Sequence, residues 1–282
     1  MADTAFQTQY RQEYIAGFEQ RQSLLRDTVT TEAVIKGNTA VFLVADSGSA
    51  EAQTRGVNGL ITARADNMTQ NSCTLSEWHD LSRKTNFNIF ASQGNQRQIM
   101  QDTTMGVMNR KIDSQIITEL NTGTVTVGSS TDIPNVTLFQ KMVVKLGNAK
   151  VPWDGNITLL CTPAFLAYLE QAPEFTKATY VEVRPYAGQT ASWKDKPMAY
   201  RWRNTLIIAH PYLPSTGSAG AKSFMYHKTA IGHAADTAGM QSEVGRDAEQ
   251  DYSWARASMN MGAKVLQNAG IVVCTSDDSG LS

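Results

Sequence analysis

The chain has 282 residues, 41% hydrophobic and 18% charged, and its 25 Lys and Arg against 26 Asp and Glu give a formal net charge of -1. That length is enough to bury a real core in one large domain or two modest ones. The balanced charge argues against a protein whose main task is gripping nucleic acid, which needs excess cations to replace phosphate counterions, and it lowers the repulsion between copies of a self-packing protein.

The opening MADTAFQTQYRQEY is too polar for a signal peptide, and no run of about 18 apolar residues occurs, so the chain is expected in a cytosol. Residues from about Asp3 to Arg26 read as an amphipathic helix with Phe6, Tyr10, Tyr14 and Phe18 at i+4 steps. The stripe fits either the packed face of a core helix or an arm laid on a neighbouring subunit. A hairpin follows, with β-prone runs Ala33 to Lys36 and Thr39 to Val44 around Gly37-Asn38. From Asp46 to Asn71 the chain is rich in Gly, Ala, Ser, Asn and Gln, carries Arg55, Arg64 and Asp66, and has little to form a core. A segment of that length without a hydrophobic face predicts an extended loop ordered by partners.

Thr74 to Phe90 offers short apolar anchors without a clean period, and its structure stays open. The strongest helix runs from Asn95 to Leu120, with Met105, Met108, Ile112, Ile116 and Leu120 on one stripe and Asn121 to Gly123 ending it. Its length would be on the order of 38 Å, enough for a spine. Thr122 to Pro134, thick with Gly, Ser and Thr, is expected to be a boundary loop. Beyond it come a helix from Val136 to Leu146 with Phe139, Met142, Val143 and Leu146 inward, a strand Ile157 to Cys161, and Thr162-Pro163 as cap and first residue of a second helix. Leu206 to Ala209 and Ser223 to Tyr226 are strand candidates around the turn-rich stretch Pro211 to Gly220. Tyr252 to Met261 and Ile271 to Cys274 suggest long strands that return to the spine.

Chemistry is sparse. Cys73, Cys161 and Cys274 are odd in number and lack a CxxC spacing, which indicates neither a disulfide framework nor a zinc site. His79, His210, His227 and His233 form no close metal-ligand spacing; the pair His227 and His233 is the nearest thing to a constellation, and a structural role is the default. GSAGAKS, Gly217 to Ser223, ends like a phosphate loop but has Ala221 where glycine must precede the lysine, and it leads into a strand. No GxSxG or GxGxxG is present. Asp277 and Asp278 read as a solvated tail, and the scattered Trp78, Trp153, Trp193, Trp202 and Trp254 as core or interface anchors. No catalytic, cofactor-binding or metal residue is assigned.

LGNAKVPWDGNITLLCTPAFLAYL, from Leu146 to Leu169, resembles the stretch of tailed-phage major capsid proteins in which a helix runs through a V-P-x-D-G turn into a strand and a second helix. FMYHKTAIGHA, from Phe224 to Ala234, is a second match. FQTQYRQEYIAGFEQRQSLLRDTVTTEAVIKGNTAVF is similar to their N-terminal arm and first hairpin, and GVMNRKIDSQIITEL to their spine helix. The resemblance covers most of the chain in the right order.

It implies an α+β fold, shared with encapsulins and the herpesvirus capsid floor, divided into an arm (1–30), a peripheral domain (31–134 with 236–282) and an α/β axial domain (135–235). The peripheral domain would hold the extended loop, about 46–71, and the spine, about 95–120. It also implies a shell of pentamers and hexamers around a double-stranded DNA phage genome, assembled in the bacterial cytoplasm and located in the virion. Partners would be the chain itself, a separate scaffolding protein, a portal and in some shells a decoration protein, with DNA touched weakly and non-specifically and no membrane. Tyr10, Tyr14, Phe18, Arg55 and Arg64 are the expected subunit-interface residues. The rival readings are an encapsulin-like compartment and, from another class, a hydrolase whose dispersed His and Asp residues meet around His227 or His210.

Overall fold

In the computed structural model of the protein, Gly37 takes φ +63° and closes the first hairpin, in which β1 (Val34–Lys36) pairs antiparallel with β2 (Thr39–Asp46). The structure describes residues 23–31, 34–47, 50–59, 61, 63–64, 67–91, 95–176, 181–182, 199–236 and 239–281. The predicted N-terminal helix falls almost wholly outside them; Arg26–Thr28 is a short 3-10 turn. β3 (Asn67–Thr74) returns along the whole of β2, from Thr39↔Thr74 to Asp46↔Asn67. The loop expected from Asp46 to Asn71 is therefore the tip of a long hairpin, and Asn67–Asn71 are strand. Alternation sorts the two faces. Ala40, Phe42 and Cys73 turn to a small core with Ala234, while Leu43 and Met68 face solvent at 64% and 68% exposure.

The stretch left open by the sequence resolves into β4 (Ser76–Thr85) and α1 (Asn86–Ala91). α2 (Gln96–Leu120) starts at Asn95, whose Oδ1 accepts from the Gln98 N–H at 3.4 Å. Its stripe differs from the expected one at the N-terminal end: Met105 is partly exposed, and Met100 and Thr104 are buried in its place, followed as expected by Met108, Ile112, Ile116 and Leu120. The polar Thr104 on that stripe hides it from a search for apolar residues, and its hydroxyl donates to the Gln101 carbonyl one turn back.

β5 (Val125–Gly128) corrects the boundary loop expected over Thr122 to Pro134. Val-Thr-Val is β-prone but too short, between stretches of Gly, Ser and Thr, to stand out as a strand; its parallel partner is far along the chain, at Ile271–Asp277. Then come α3 (Val136–Asn148), capped by Asn135, β6 (Ile157–Cys161), and α4 (Pro163–Gln171), capped by Thr162 with Pro163 in its first turn. They are followed by α5 (Pro173–Thr176), β7 (Val181–Glu182), β8 (Ala199–Trp202) and β9 (Thr205–Ala209). The chain ends through β10 (Ala219–His227), β11 (Ile231–Ala235), β12 (Gln241–Asp247), β13 (Tyr252–Val265) and β14 (Ile271–Asp277).

These elements form two compact units. Among the described residues the first comprises Ser23, Ser76–Asp113 and Ala235–Met261, and the second Leu24–Leu75, Ser114–Ala234 and Gly262–Leu281. In the first, β13 pairs with β12 on one side and β4 on the other. One face of β13 buries Ser253, Ala255, Ala257 and Met259, and α2 lies over that face: Arg97 reaches the Ser253 hydroxyl, and Gln101 donates to Ser242 at 3.0 Å.

In the second unit a seven-stranded mixed sheet has the order β5-β14-β10-β6-β9-β8-β7. The inward residues of α3 (Leu138, Phe139, Met142, Leu146) and of α4 (Phe165, Leu166, Leu169) share one core with Leu159, Ile207, Met225 and Val272 of this sheet. Phe139 and Phe175 both pack on Trp202, with ring centroids 4.6 and 5.3 Å away. Burying each such side chain contributes about 1.5–3 kcal/mol. Asp278 follows β14 into this unit and is fully buried, with its Oδ1 accepting from the Ser276 hydroxyl at 3.2 Å. The solvated-tail reading is therefore wrong for Asp278, because the last strand of the sheet carries it inward.

Candidate functional site

The β2–β3 hairpin presents its tip to solvent. Every described residue of 50–64 is exposed, including Arg55, Arg64, Val57 at 106% and Ile61 at 72%. Together with Leu43 and Met68 these side chains place apolar surface in water with no core beneath it, the mark of a surface that meets a partner. Tyr10, Tyr14 and Phe18 lie outside the described residues. Where description begins, the Ser23 hydroxyl donates to the buried carboxylate of Asp113 on α2, at 2.5 Å.

The V-P-x-D-G turn is a structural hub. Asp154 accepts from the backbone N–H of Asn156 at 3.0 Å, from its side-chain amide at 2.9 Å, and from His227 Nε2 at 3.0 Å. The Asn156 amide, then its backbone N–H, hold the Asp154 carboxyl down to about 2, and His227 adds to this. The far side of the turn receives the β8–β9 hairpin: Trp153 Nε1 donates to the Arg203 carbonyl, Asn204 Nδ2 to the Trp153 carbonyl, and Arg201 to the Gly155 carbonyl at 3.1 Å.

A histidine between a hydroxyl and a carboxylate has the parts of a nucleophile triad. Here the parts are differently employed. His227 Nδ1 accepts from the backbone N–H of Thr229 at 3.2 Å and lies 2.8 Å from its hydroxyl, so the ring lone pair caps the 3-10 turn Lys228–Ala230 and is not available as a base. His210 is buried and accepts from the Tyr212 N–H. His227 ends β10 and His233 lies within β11, so the nearest constellation in the sequence is divided between two strands. Among the described residues no group of three His, Cys, Asp or Glu side chains could hold a metal ion. GSAGAKS runs into β10 with no helix after it, and its Lys222 donates to Asn121 at 2.8 Å.

Two contacts had no signal in the sequence. The Lys111 ammonium sits 3.7 Å from the centroid of Trp78. The Trp254 indole lies on Gly245, where a Cβ would come within 2.4 Å of the ring. Lys111 and Trp78 are far apart in the chain, and no spacing rule joins them; a glycine facing a tryptophan across a strand pair becomes visible only once the register is known.

A family model described as phage capsid protein matches residues 2–278. The chain belongs to the phage capsid protein family. Solved structures agree on the fold of this capsid protein. It is similar to a chain in the capsid of Ralstonia phage GP4, with 10% identity, a TM-score of 0.72 and coverage of 98% of this chain and 96% of that one. It is likewise similar to a chain of Mycobacterium phage Che8, with 15% identity, a TM-score of 0.71 and coverage of 97% and 98%. For the capsid of the cyanophage P-SCSP1u the identity is 11%, the TM-score 0.71 and the coverage 96% and 93%. No curated protein sequence matches the chain. The capsid protein is thus a structural protein of the virion shell, with the α+β phage capsid fold that its sequence resembles.

Proposed function

We propose that this capsid protein is the major shell subunit, assembling as pentamers and hexamers into an icosahedral shell around a double-stranded DNA genome. A separate scaffolding protein would guide assembly, a portal would admit the DNA, and decoration proteins would add to the outside in some shells. The division into an arm (1–30), a peripheral region (31–134 with 236–282) and an axial region (135–235) is the organisation this reading assigns.

The observation that carries it is the long β2–β3 hairpin, whose exposed tip holds Val57 and Ile61 in water. An apolar tip on a well-paired stalk is unfavourable in an isolated subunit and useful in one that is always surrounded by copies of itself. Modest contacts repeated over a closed shell become strong through multivalency. Tyr10, Tyr14 and Phe18 would dock on an adjacent subunit, and Arg55 and Arg64 would meet acidic groups across an interface.

Negative-stain electron microscopy and sedimentation of the expressed protein, alone and with a candidate scaffold, test the reading. Shells or five- and six-fold capsomers are expected, and the R55E/R64E double variant is expected to stay folded but fail to close shells. A monomer under every condition would overturn the shell-subunit reading, and normal shells from the double variant would remove the two arginines from the interface. Native shells that hold protein cargo and no DNA would favour a compartment.

A further inference from the structure

The turn Val151–Gly155 and the β8–β9 hairpin docked on it gather cations in a chain whose net charge is only -1. Arg201, Arg203 and Lys228 are all exposed there; Arg201 stands opposite Glu182 in the β7–β8 register, and Arg203 sits in the β8–β9 turn beyond that pairing. The backbone N–H of Lys228 donates to the Asn156 carbonyl, which fixes it to the same turn. Trp153, 39% exposed, stands among them. Asp154, the carboxylate of the turn itself, is engaged by Asn156 and His227.

The backbone adds a second, independent observation. Arg203 and Asn204 are the central residues of the β8–β9 turn, at φ +48° and +61°. A two-residue hairpin with positive φ at both positions is made most easily by Asn-Gly or Gly-Gly, and an arginine at the first is strained. Lys150, at the entry to the V-P-x-D-G turn, also has φ +58°. A cation thus occupies a left-handed position at the tip of the docked hairpin, where a smaller residue would fold more easily.

We propose that this face is where the capsid protein touches the phosphate backbone of the packaged DNA, through Arg201, Arg203 and Lys228. The inference rests on the DNA-filled shell proposed above and adds the residues that meet the genome. Guanidinium forks match phosphate oxygens, and exposed cations carry an affinity that needs no base contact and is sequence-independent. A small cationic face on a nearly neutral subunit holds DNA weakly at each copy, so the genome can still slide as it is packed. An acidic protein segment is the less fitting occupant, since charge is the main thing Arg201, Arg203 and Lys228 offer, and a phosphate backbone supplies it at every nucleotide.

Arg203 and Lys228 are the residues to vary: Arg201 donates to the Gly155 carbonyl and holds the turn, whereas the Arg203 guanidinium lies 5.9 Å from the ring centroid of its neighbour Trp202, and Lys228 is tied to the turn through its backbone N–H. The soluble full-length subunit would be titrated onto a fluorescent DNA duplex of about 20 base pairs, with anisotropy read from about 50 to 200 mM NaCl. R203E/K228E is expected to weaken binding by about tenfold or more and to reduce the slope of log K against log salt by about 2. The control K141E/K145E makes the same charge change on the exposed side of α3 and should leave the slope near that of the unaltered subunit. An unchanged slope in R203E/K228E, or an equal loss in the control, would overturn the proposal. So would failure of folded R203E/K228E to form shells with DNA binding intact, which would make the face a subunit contact. If the unaltered protein forms no shells under any condition, the shell reading fails by a separate measurement.

Discussion

His227 Nε2 stands 3.0 Å from Asp154 Oδ1, joining the end of β10 to the turn that follows α3. The imidazole is almost fully buried while the carboxylate is about half exposed, so the contact stabilises the fold through position more than through charge. D154A should cost about 1 kcal/mol and lower the melting temperature by roughly 2–4 °C. Calorimetry checks this, and a variant that melts with the unaltered protein would remove Asp154 from the set of structural supports.

The same carboxylate predicts an acid dependence. Its value in the folded protein, about 2, lies below the ordinary 3.8, so its contribution is complete above that ordinary value and is lost as pH falls toward 2. The difference in urea midpoint between the unaltered protein and D154A should be constant near neutrality and shrink below about pH 4. A difference that grew on acidification would have the wrong sign for a depressed carboxylate.

Cys73, Cys161 and Cys274 are buried, and burial pushes all three thiols up, Cys274 to about 12. Thiolate is the reactive form, so a chromogenic disulfide reagent at neutral pH should label none of them in the folded subunit and all of them after denaturation. Rapid stoichiometric labelling of the folded protein would contradict this placement.

Two glycines should respond oppositely to alanine. At Gly128, φ is +78° and a Cβ would lie 2.3 Å from the Thr275 carbonyl oxygen, so G128A should lose about 2–3 kcal/mol. At Gly147, within α3, nothing lies within 4 Å of the added carbon, and G147A should gain about 0.5–1 kcal/mol. Paired denaturation curves decide both, and similar effects from the two would contradict the packing described around β5.

Elements defined by near neighbours were legible in the sequence. Thr162-Pro163 marked the start of α4, Gly37-Asn38 marked the hairpin, and the spine helix ended where Asn121 to Gly123 said it would, because caps and tight turns depend on residues a few positions apart. What stayed hidden was set by distant partners. β5 exists because β14 runs beside it, Asp278 is buried because β14 carries it inward, and Met105 yields its place to Met100 because polar Thr104 shares the buried stripe. At the candidate surfaces, the resemblance pointed to the V-P-x-D-G turn but could not say that Arg201 and Arg203 dock on it across some fifty residues of chain.

β14 sits between β5 and β10, in the body of its sheet, although it is the most C-terminal strand among the described residues. A fragment ending before Ile271 would leave β5 without its strand partner and the flank of β10 bare. Such fragments cannot display finished surfaces to their full-length siblings. Residues more than a hundred positions apart in the chain thus complete one sheet together, so its closure must come late in folding.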